Sequence, residues 1–236
     1  MSVLRTVIFA VVASAALPIG ALVGAKVELP RKLLAWLLGF ASGALVSAVA
    51  FELFDRAFEH GGAGYAGVSF LAGATVFVLV DGWLARRTDT RARSGAGIGF
   101  ALLAGVTLDG VPENLAMGVS LIEGGGLALL VAIFVSNFPE AVVGAEKMKE
   151  AGVGPERAIL IWTAAAILLA AAVVVGYVLL EGASGETLSI PLAFAGGAVL
   201  ASLADTVMPE AYAEGGINVA YATALGFLLS YVISAA

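Results

Sequence analysis

The chain contains a run of 23 residues without a charged side chain, Ala158-Ile-Leu-Ile-Trp-Thr-Ala-Ala-Ala-Ile-Leu-Leu-Ala-Ala-Ala-Val-Val-Val-Gly-Tyr-Val-Leu-Leu180. An α-helix needs about 20 such residues to cross the bilayer core. Similar runs recur along this chain of 236 residues, which is 61% hydrophobic and 13% charged, with a mean hydropathy of +1.02. A soluble domain is about 25% charged. The sequence therefore predicts an all-α membrane protein.

We predict about eight transmembrane helices, which leave little chain for a soluble part, so that residues 1–236 form one polytopic domain. The predicted spans lie near residues 4–23, 33–51, 64–84, 98–122, 126–145, 158–180, 188–208 and 217–235. Arg5 and the small residues Ala13-Ser-Ala15 also fit a signal peptide loosely, but the first run is long enough to span. We interpret it as a retained helix.

The basic residues predict the orientation. If the spans alternate, ten of the twelve Lys and Arg residues lie on one side of the membrane. These ten are Lys26, Arg31, Lys32, Arg86, Arg87, Arg91, Arg93, Lys147, Lys149 and Arg157. The positive-inside rule makes that side cytoplasmic and puts both termini outside the cytoplasm, in the cell membrane. No nucleic acid partner is expected, although the net charge of −6 says little about it because most of the chain would lie in lipid. Without cysteine there is no thiolate metal site.

Two segments resemble each other, Phe40–Ala50 in the second span and Phe194–Ala204 in the seventh. Each is followed by acidic residues, namely Glu52 and Asp55 after the first and Asp205 and Glu210 after the second. The two helices run in opposite directions, so the pattern predicts an inverted repeat of helices 1–3 and 6–8 around a central pair, helices 4 and 5. The alternative is that the small residues only permit close helix packing.

Three carboxylates lie near the middle of the central pair. The fourth span contains Asp109 and Glu113, four residues apart on one helix face, and the fifth contains Asn137 and Glu140. A carboxylate that faces lipid at this depth costs about 2.5–3.5 kcal/mol, so these side chains must face inward. No Lys or Arg lies centrally in any span. A bound divalent cation would balance the charges, and its preferred ligands are such oxygens.

Prolines support a polar site. Pro112 and Pro139 each lack a backbone donor, which frees a carbonyl one turn earlier. Such open backbone at membrane depth is tolerated where it lines a polar cavity. The alternative is a kinked structural helix pair whose buried acids are protonated.

At these residues the chain resembles the ZIP (Zrt/Irt-like) divalent metal transporters. In that family the fourth helix typically carries His-Asn-x-Pro-Glu-Gly, and the fifth a polar pair followed by x-Pro-Glu-Gly. The resemblance extends over nearly the whole chain. It includes a second helix that ends in Phe51-Glu-Leu-Phe-Asp55 and a seventh that ends in Asp205-Thr-Val-Met-Pro-Glu210.

The resemblance implies a metal site of Asp109, Glu113, Asn137 and Glu140. Asp109 stands at the family's histidine position and Gly110 at its asparagine position. Further ligands or gate residues would be Asn114, Ser136, Glu52, Asp55, Asp205 and Glu210, for several of which a charged helix end is the alternative. The sixth span lacks the carboxylate that many relatives have, which weakens the case for a second, bridged metal. The sole histidine, His60, is interpreted as a solvated loop residue or a weak metal-capturing group.

The predicted function is transport of divalent metal ions into the cytoplasm by alternating access, and no enzymatic activity is expected. The family favours Zn²⁺ as the substrate, whereas a site made only of oxygens also suits Mn²⁺, Fe²⁺ or Mg²⁺. Small-residue helix faces would suit a homodimer. The alternatives are a metal-sensing relative that does not transport, a cation/calcium exchanger, and an intramembrane metal-dependent hydrolase.

Overall fold

The computed structural model describes residues 3–88 and 95–235, without the side chains of residues 87, 88, 95–103 and 109. These described residues form nine α-helices and no strand, which confirms the all-α prediction for them. The helices are α1 (Val3–Lys26), α2 (Arg31–Ala48), α3 (Asp55–Thr88), α4 (Gly95–Ile122), α5 (Leu127–Glu150), α6 (Pro155–Leu180), α7 (Gly185–Ser202), α8 (Met208–Gly215) and α9 (Val219–Ser234).

Five stretches of the described chain are long and apolar enough to cross a membrane. They are Val3–Lys26, Arg31–Arg86, Leu127–Glu150, Pro155–Leu180 and Gly185–Ser234. The second and fifth have 56 and 50 residues, so each as a straight helix would be about 75 Å or longer, more than twice the bilayer core. Both are interrupted by a glycine with positive φ, Gly62 at 63° and Gly216 at 64°. The count of eight spans in one domain stays a prediction.

The two similar segments lead into the same irregularity. α2 continues into a π-helical turn, Val49–Phe54, and α7 continues into another, Leu203–Val207. Each π-turn begins nine residues after the phenylalanine that opens its segment, Phe40 or Phe194. π-turns are rare and are often found at functional sites, and these two contain Glu52 and Asp205.

Glycines bring α2 against α9 and α3 against α7. A Cβ at Gly43 of α2 would overlap the carbonyl of Thr223 in α9, and one at Gly226 of α9 would overlap the carbonyl of Phe40. The second pair repeats this reciprocal contact: Gly197 of α7 faces the carbonyl of Phe70 in α3, and Gly73 of α3 faces that of Phe194. The two similar segments therefore make equivalent contacts with two different partners.

The central helices α4 and α5 are each held by one outer helix. α1 packs on α5, where a Cβ at Gly20 would overlap the carbonyl of Phe138. α6 packs on α4 through Gly118 and Gly176, each of which faces a carbonyl of the other helix. Such small-residue contacts let backbones approach closely where no hydrophobic effect drives helices together. They leave the other sides of α4 and α5 to face α2 and α7.

Candidate metal site

Glu113 of the fourth predicted span meets Ser136, Asn137 and Glu140 of the fifth at one small cavity. Its polar lining consists of Glu113 from α4, Ser136, Asn137 and Glu140 from α5, and Ser202 from α7. Its apolar lining comes from α2, α7 and the second π-turn, with Leu45, Val199, Leu203 and Val207. The space open to the centre of a water molecule is about 10 Å³. That is close to the minimum that holds one water, so the cavity suits a single small occupant.

Most of these polar side chains are buried. Glu113 is 5% exposed, Asn137 is 3% exposed and Ser136 is also buried, whereas Glu140 is half-buried. The Ser136 hydroxyl donates to the carbonyl of Ile133 at 3.0 Å. An ionised carboxylate in such surroundings is costly unless a positive charge or hydrogen-bond donors balance it. Glu113 and Glu140 are thus two carboxylates at one largely buried cavity.

Two asparagines differ in their availability. The buried Nδ2 of Asn137 makes no hydrogen bond within the described part of the chain, and an unpaired buried donor costs about 1–3 kcal/mol. A water or hydrated ion in the cavity would satisfy it. The side chain of Asn114 instead bonds to the backbone of its own helix, because its Nδ2 donates to the carbonyl of Gly110 at 2.8 Å. Asn114 is absent from the described lining of the cavity, so the structure brings Asn137 but not Asn114 to Glu113 and Glu140.

The predicted ligand Asp109 has a side chain outside the described residues, so its place in the site stays a prediction. Among the side chains that are described, no group of three or more His, Asp or Glu residues is arranged to hold a metal ion. The described part of the predicted set is thus the pair Glu113 and Glu140 with Asn137 and Ser136.

A larger cavity of about 200 Å³ adjoins the small one, because Glu140, Ser202 and Val207 line both. It extends along α5 to Lys147, whose Nζ lies 3.1 Å from Oε1 of Glu210. Glu210 therefore lines this cavity, and its role as a gate residue stays a prediction. Asp205 is exposed and does not belong to the described lining.

This larger cavity contains a carboxylate that sequence reasoning missed. Asp81 of α3 lines it together with Glu140 and Glu210. The signal was present in the sequence, because Asp81 is an acidic residue inside the predicted span 64–84.

The opposite ends of these helices are closed by charged groups around Glu52, which is 3% exposed. Its Oε2 lies 3.1 Å from a guanidinium nitrogen of Arg56 and accepts hydrogen bonds from Ser120 and from the N–H of Gly126. The sequence analysis did not predict a partner for Glu52. The buried carboxylate of Glu52 is in fact already balanced by a protein cation.

Asp55, the other predicted residue at this end, is exposed. It lines an open depression of about 430 Å³ together with Glu59, His60 and Glu123. His60 is partly exposed and contacts the carboxylate of Glu123 through Nε2. His60 therefore has a protein partner, which the interpretation as a solvated loop residue did not include.

Comparisons with known proteins give a limited result. No protein-family model matches the chain. A protein of Arabidopsis thaliana described as a "putative zinc transporter" is 28% identical over 222 residues, which cover 91% of this chain. The chain spans 36% of the length of that relative. This similarity and the five apolar stretches support the conclusion that the chain is a multi-pass, all-helical membrane protein.

Proposed function

We propose that this protein is a ZIP-like transporter that moves divalent metal ions across the cell membrane through the cavity between Glu113 and Glu140. The observation that carries the proposal is the convergence of the two Pro-Glu motifs of the sequence on that one cavity. Two carboxylates around a space for one small occupant suit a hard or borderline cation. The similarity to a protein described as a zinc transporter supports the same conclusion.

The position of the cavity along the helices supports transport. Glu123, which directly follows α4, lies ten positions after Glu113, a rise of about 15 Å at helical spacing. Lys147 lies seven positions after Glu140 in α5, a rise of about 10 Å towards the other end. The site thus lies between two membrane faces, which we call the Arg56 face and the Lys147 face. In an alternating-access cycle this structure is the state that is open towards the Lys147 face.

The orientation of the cycle follows from the basic residues. The Lys147 face holds the excess of Lys and Arg, so the positive-inside rule makes it cytoplasmic and places both termini outside. The direction of net movement that we propose is into the cytoplasm. A reporter fused after Ala236 would test the orientation, because this proposal requires it to act outside the cytoplasm.

Eight spans with an inverted repeat are part of the proposal. The equivalent π-turns and the reciprocal glycine contacts of α2 with α9 and α7 with α3 support a relation between the two halves. Gly62 and Gly216 would then mark the points where two long helical stretches turn back across the membrane.

The ligands and the family resemblance favour different metal ions. Zn²⁺ is favoured by the family resemblance, while oxygen ligands without imidazole favour Mn²⁺ or Fe²⁺. Asp109 would be the third carboxylate of the site. A homodimer through exposed small-residue faces stays a prediction.

Three other functions compete with transport. A metal sensor would bind the ion without moving it, a cation/calcium exchanger would need a counter-ion gradient, and an intramembrane hydrolase would use the acids to activate water.

Uptake of Zn²⁺ and Mn²⁺ into proteoliposomes separates these functions. We expect saturable uptake by the parent protein and uptake at the level of empty liposomes for Glu140→Gln. Glu156→Gln is the matched control, because Glu156 lies in the first turn of α6 outside both cavities. Binding without uptake would support a sensor, and uptake that requires an opposing Na⁺ or Ca²⁺ gradient would support an exchanger. Either result would refute the proposal.

A further inference from the structure

We propose that Arg56 is a tethered cation that closes the Arg56 face by occupying the carboxylates of Glu52 and Glu123. This inference rests on the proposed function, because the passage that it closes is the one that the metal would use. The Arg56 latch is defined here as Glu52, Arg56, Glu123 and the loop Gly124–Gly126.

The first arm of the latch is the buried carboxylate of Glu52. Besides Arg56 at 3.1 Å, its Oε2 accepts from the Ser120 hydroxyl at 3.4 Å and from the Gly126 N–H at 3.3 Å. Arg56 follows Glu52 by four residues across the first π-turn, whereas Ser120 and Gly126 belong to α4 and its loop. The carboxylate therefore joins the end of α2 to the end of α4.

The second contact of the latch joins Arg56 to Glu123, next to the same loop. Another guanidinium nitrogen of Arg56 lies 3.7 Å from Oε2 of Glu123, and His60 contacts the other carboxylate oxygen. Arg56 and His60 both belong to α3, and Glu123 directly follows α4. Two carboxylates, one on each side of the junction, thus share one guanidinium.

The loop is shaped to receive that guanidinium. Gly124 and Gly126 have φ of 84° and 95°, a conformation that favours glycine and that turns the Gly126 N–H towards Glu52. Gly125 between them has no side chain, and a Cβ there would overlap the Arg56 guanidinium. The run of three glycines therefore provides both a donor for Glu52 and a space for Arg56.

These contacts explain why the site is closed on this face. They connect α2 and α3 with the α4–α5 loop, and α4 and α5 carry Glu113 and Glu140. A metal ion that enters from the Arg56 face needs this junction to separate. Separation would release Glu52 and Glu123 from Arg56, so an approaching divalent cation would compete with the guanidinium for them.

Cysteine accessibility tests the latch without depending on transport. The chain has no cysteine, so Ser202→Cys gives a single thiol in the lining of both cavities. A membrane-impermeant maleimide should label the parent reporter from the Lys147 face only. Adding Gly125→Ala, which displaces the guanidinium and keeps every charge, should increase labelling from the Arg56 face about tenfold, because a lost hydrogen bond to a charged group shifts a two-state equilibrium by that order.

Two further variants and one control complete the test. Arg56→Gln should increase the same labelling, and Arg56→Lys, which keeps a positive charge, should restore part of the closure. Gly154→Ala is the matched control, because Gly154 lies in the α5–α6 loop, has a φ of −62°, and its added Cβ would meet no atom within 4 Å. It should leave labelling unchanged.

Labelling from the Arg56 face that stays at the parent level in both Gly125→Ala and Arg56→Gln would overturn the latch. That result would leave the proposed transport intact if the parent still takes up metal. Conversely, a parent that binds no metal but shows the expected labelling would refute transport and retain the latch as a closing element.

Discussion

The Arg56 face and the Lys147 face each carry ion pairs, but these pairs differ in depth. Glu52 is 3% exposed and shares its carboxylate among three donors. On the other face the side chains of Lys147 and Glu210 are 49% and 36% exposed, and a cavity of about 200 Å³ lies beside them. Exposed pairs contribute about 0–1 kcal/mol, whereas breaking a buried pair costs more. The buried ion pair therefore stabilises the Arg56 face, whereas the exposed pair contributes little to the stability of the Lys147 face.

The largest difference between the faces should appear in stability. Glu52→Ala leaves the partly buried guanidinium of Arg56 without its nearest partner, and we expect a loss of about 2–4 kcal/mol in the free energy of unfolding. Glu210→Ala breaks the exposed pair with Lys147 and should cost less than about 1 kcal/mol. Denaturant unfolding in one detergent measures both. Equal losses would show that the two faces are held alike.

A smaller effect is expected on metal choice, at the site between the faces. Asp109→His would replace an anionic oxygen by a borderline nitrogen, and we expect about a tenfold shift in relative affinity towards Zn²⁺ over Mn²⁺. Competition binding of the two metals measures it. An unchanged preference would show that Asp109 is not a ligand.

The smallest effect should come from Asp81 on the open side. Asp81→Asn removes one charge from the larger cavity, and we expect metal uptake to fall about threefold while binding at the central site is unchanged. Asp55→Asn is the matched control on the Arg56 face, because Asp55 is exposed beside the open depression there. A loss of binding in Asp81→Asn would place this residue in the site itself.

The sequence predicted well what hydropathy and spacing determine. Helices cover the predicted spans in the described chain, and the residues of the two Pro-Glu motifs that are described, Glu113 and Glu140, meet at one cavity. Both results depend on local patterns, because a helix face is fixed by spacing and an acidic residue at membrane depth must turn inward.

The sequence could not predict how charges pair between distant segments. Arg56 lies four residues from Glu52, which spacing suggests, but its contact with Gly125 depends on how α3 meets the α4–α5 loop. The partner of Glu210 is Lys147, 63 residues away. The π-turns at Glu52 and Asp205 were also not predicted from the sequence.

The central claim is that Glu113 and Glu140 hold a divalent metal ion between two faces. The most direct measurement is equilibrium binding of Zn²⁺ and Mn²⁺ to the purified protein, compared among the parent, Glu113→Ala, Glu140→Ala and the control Glu156→Gln. We predict saturable binding to the parent and the control, and no binding of either metal to the two alanine variants. Undiminished binding in Glu113→Ala or Glu140→Ala would contradict the account.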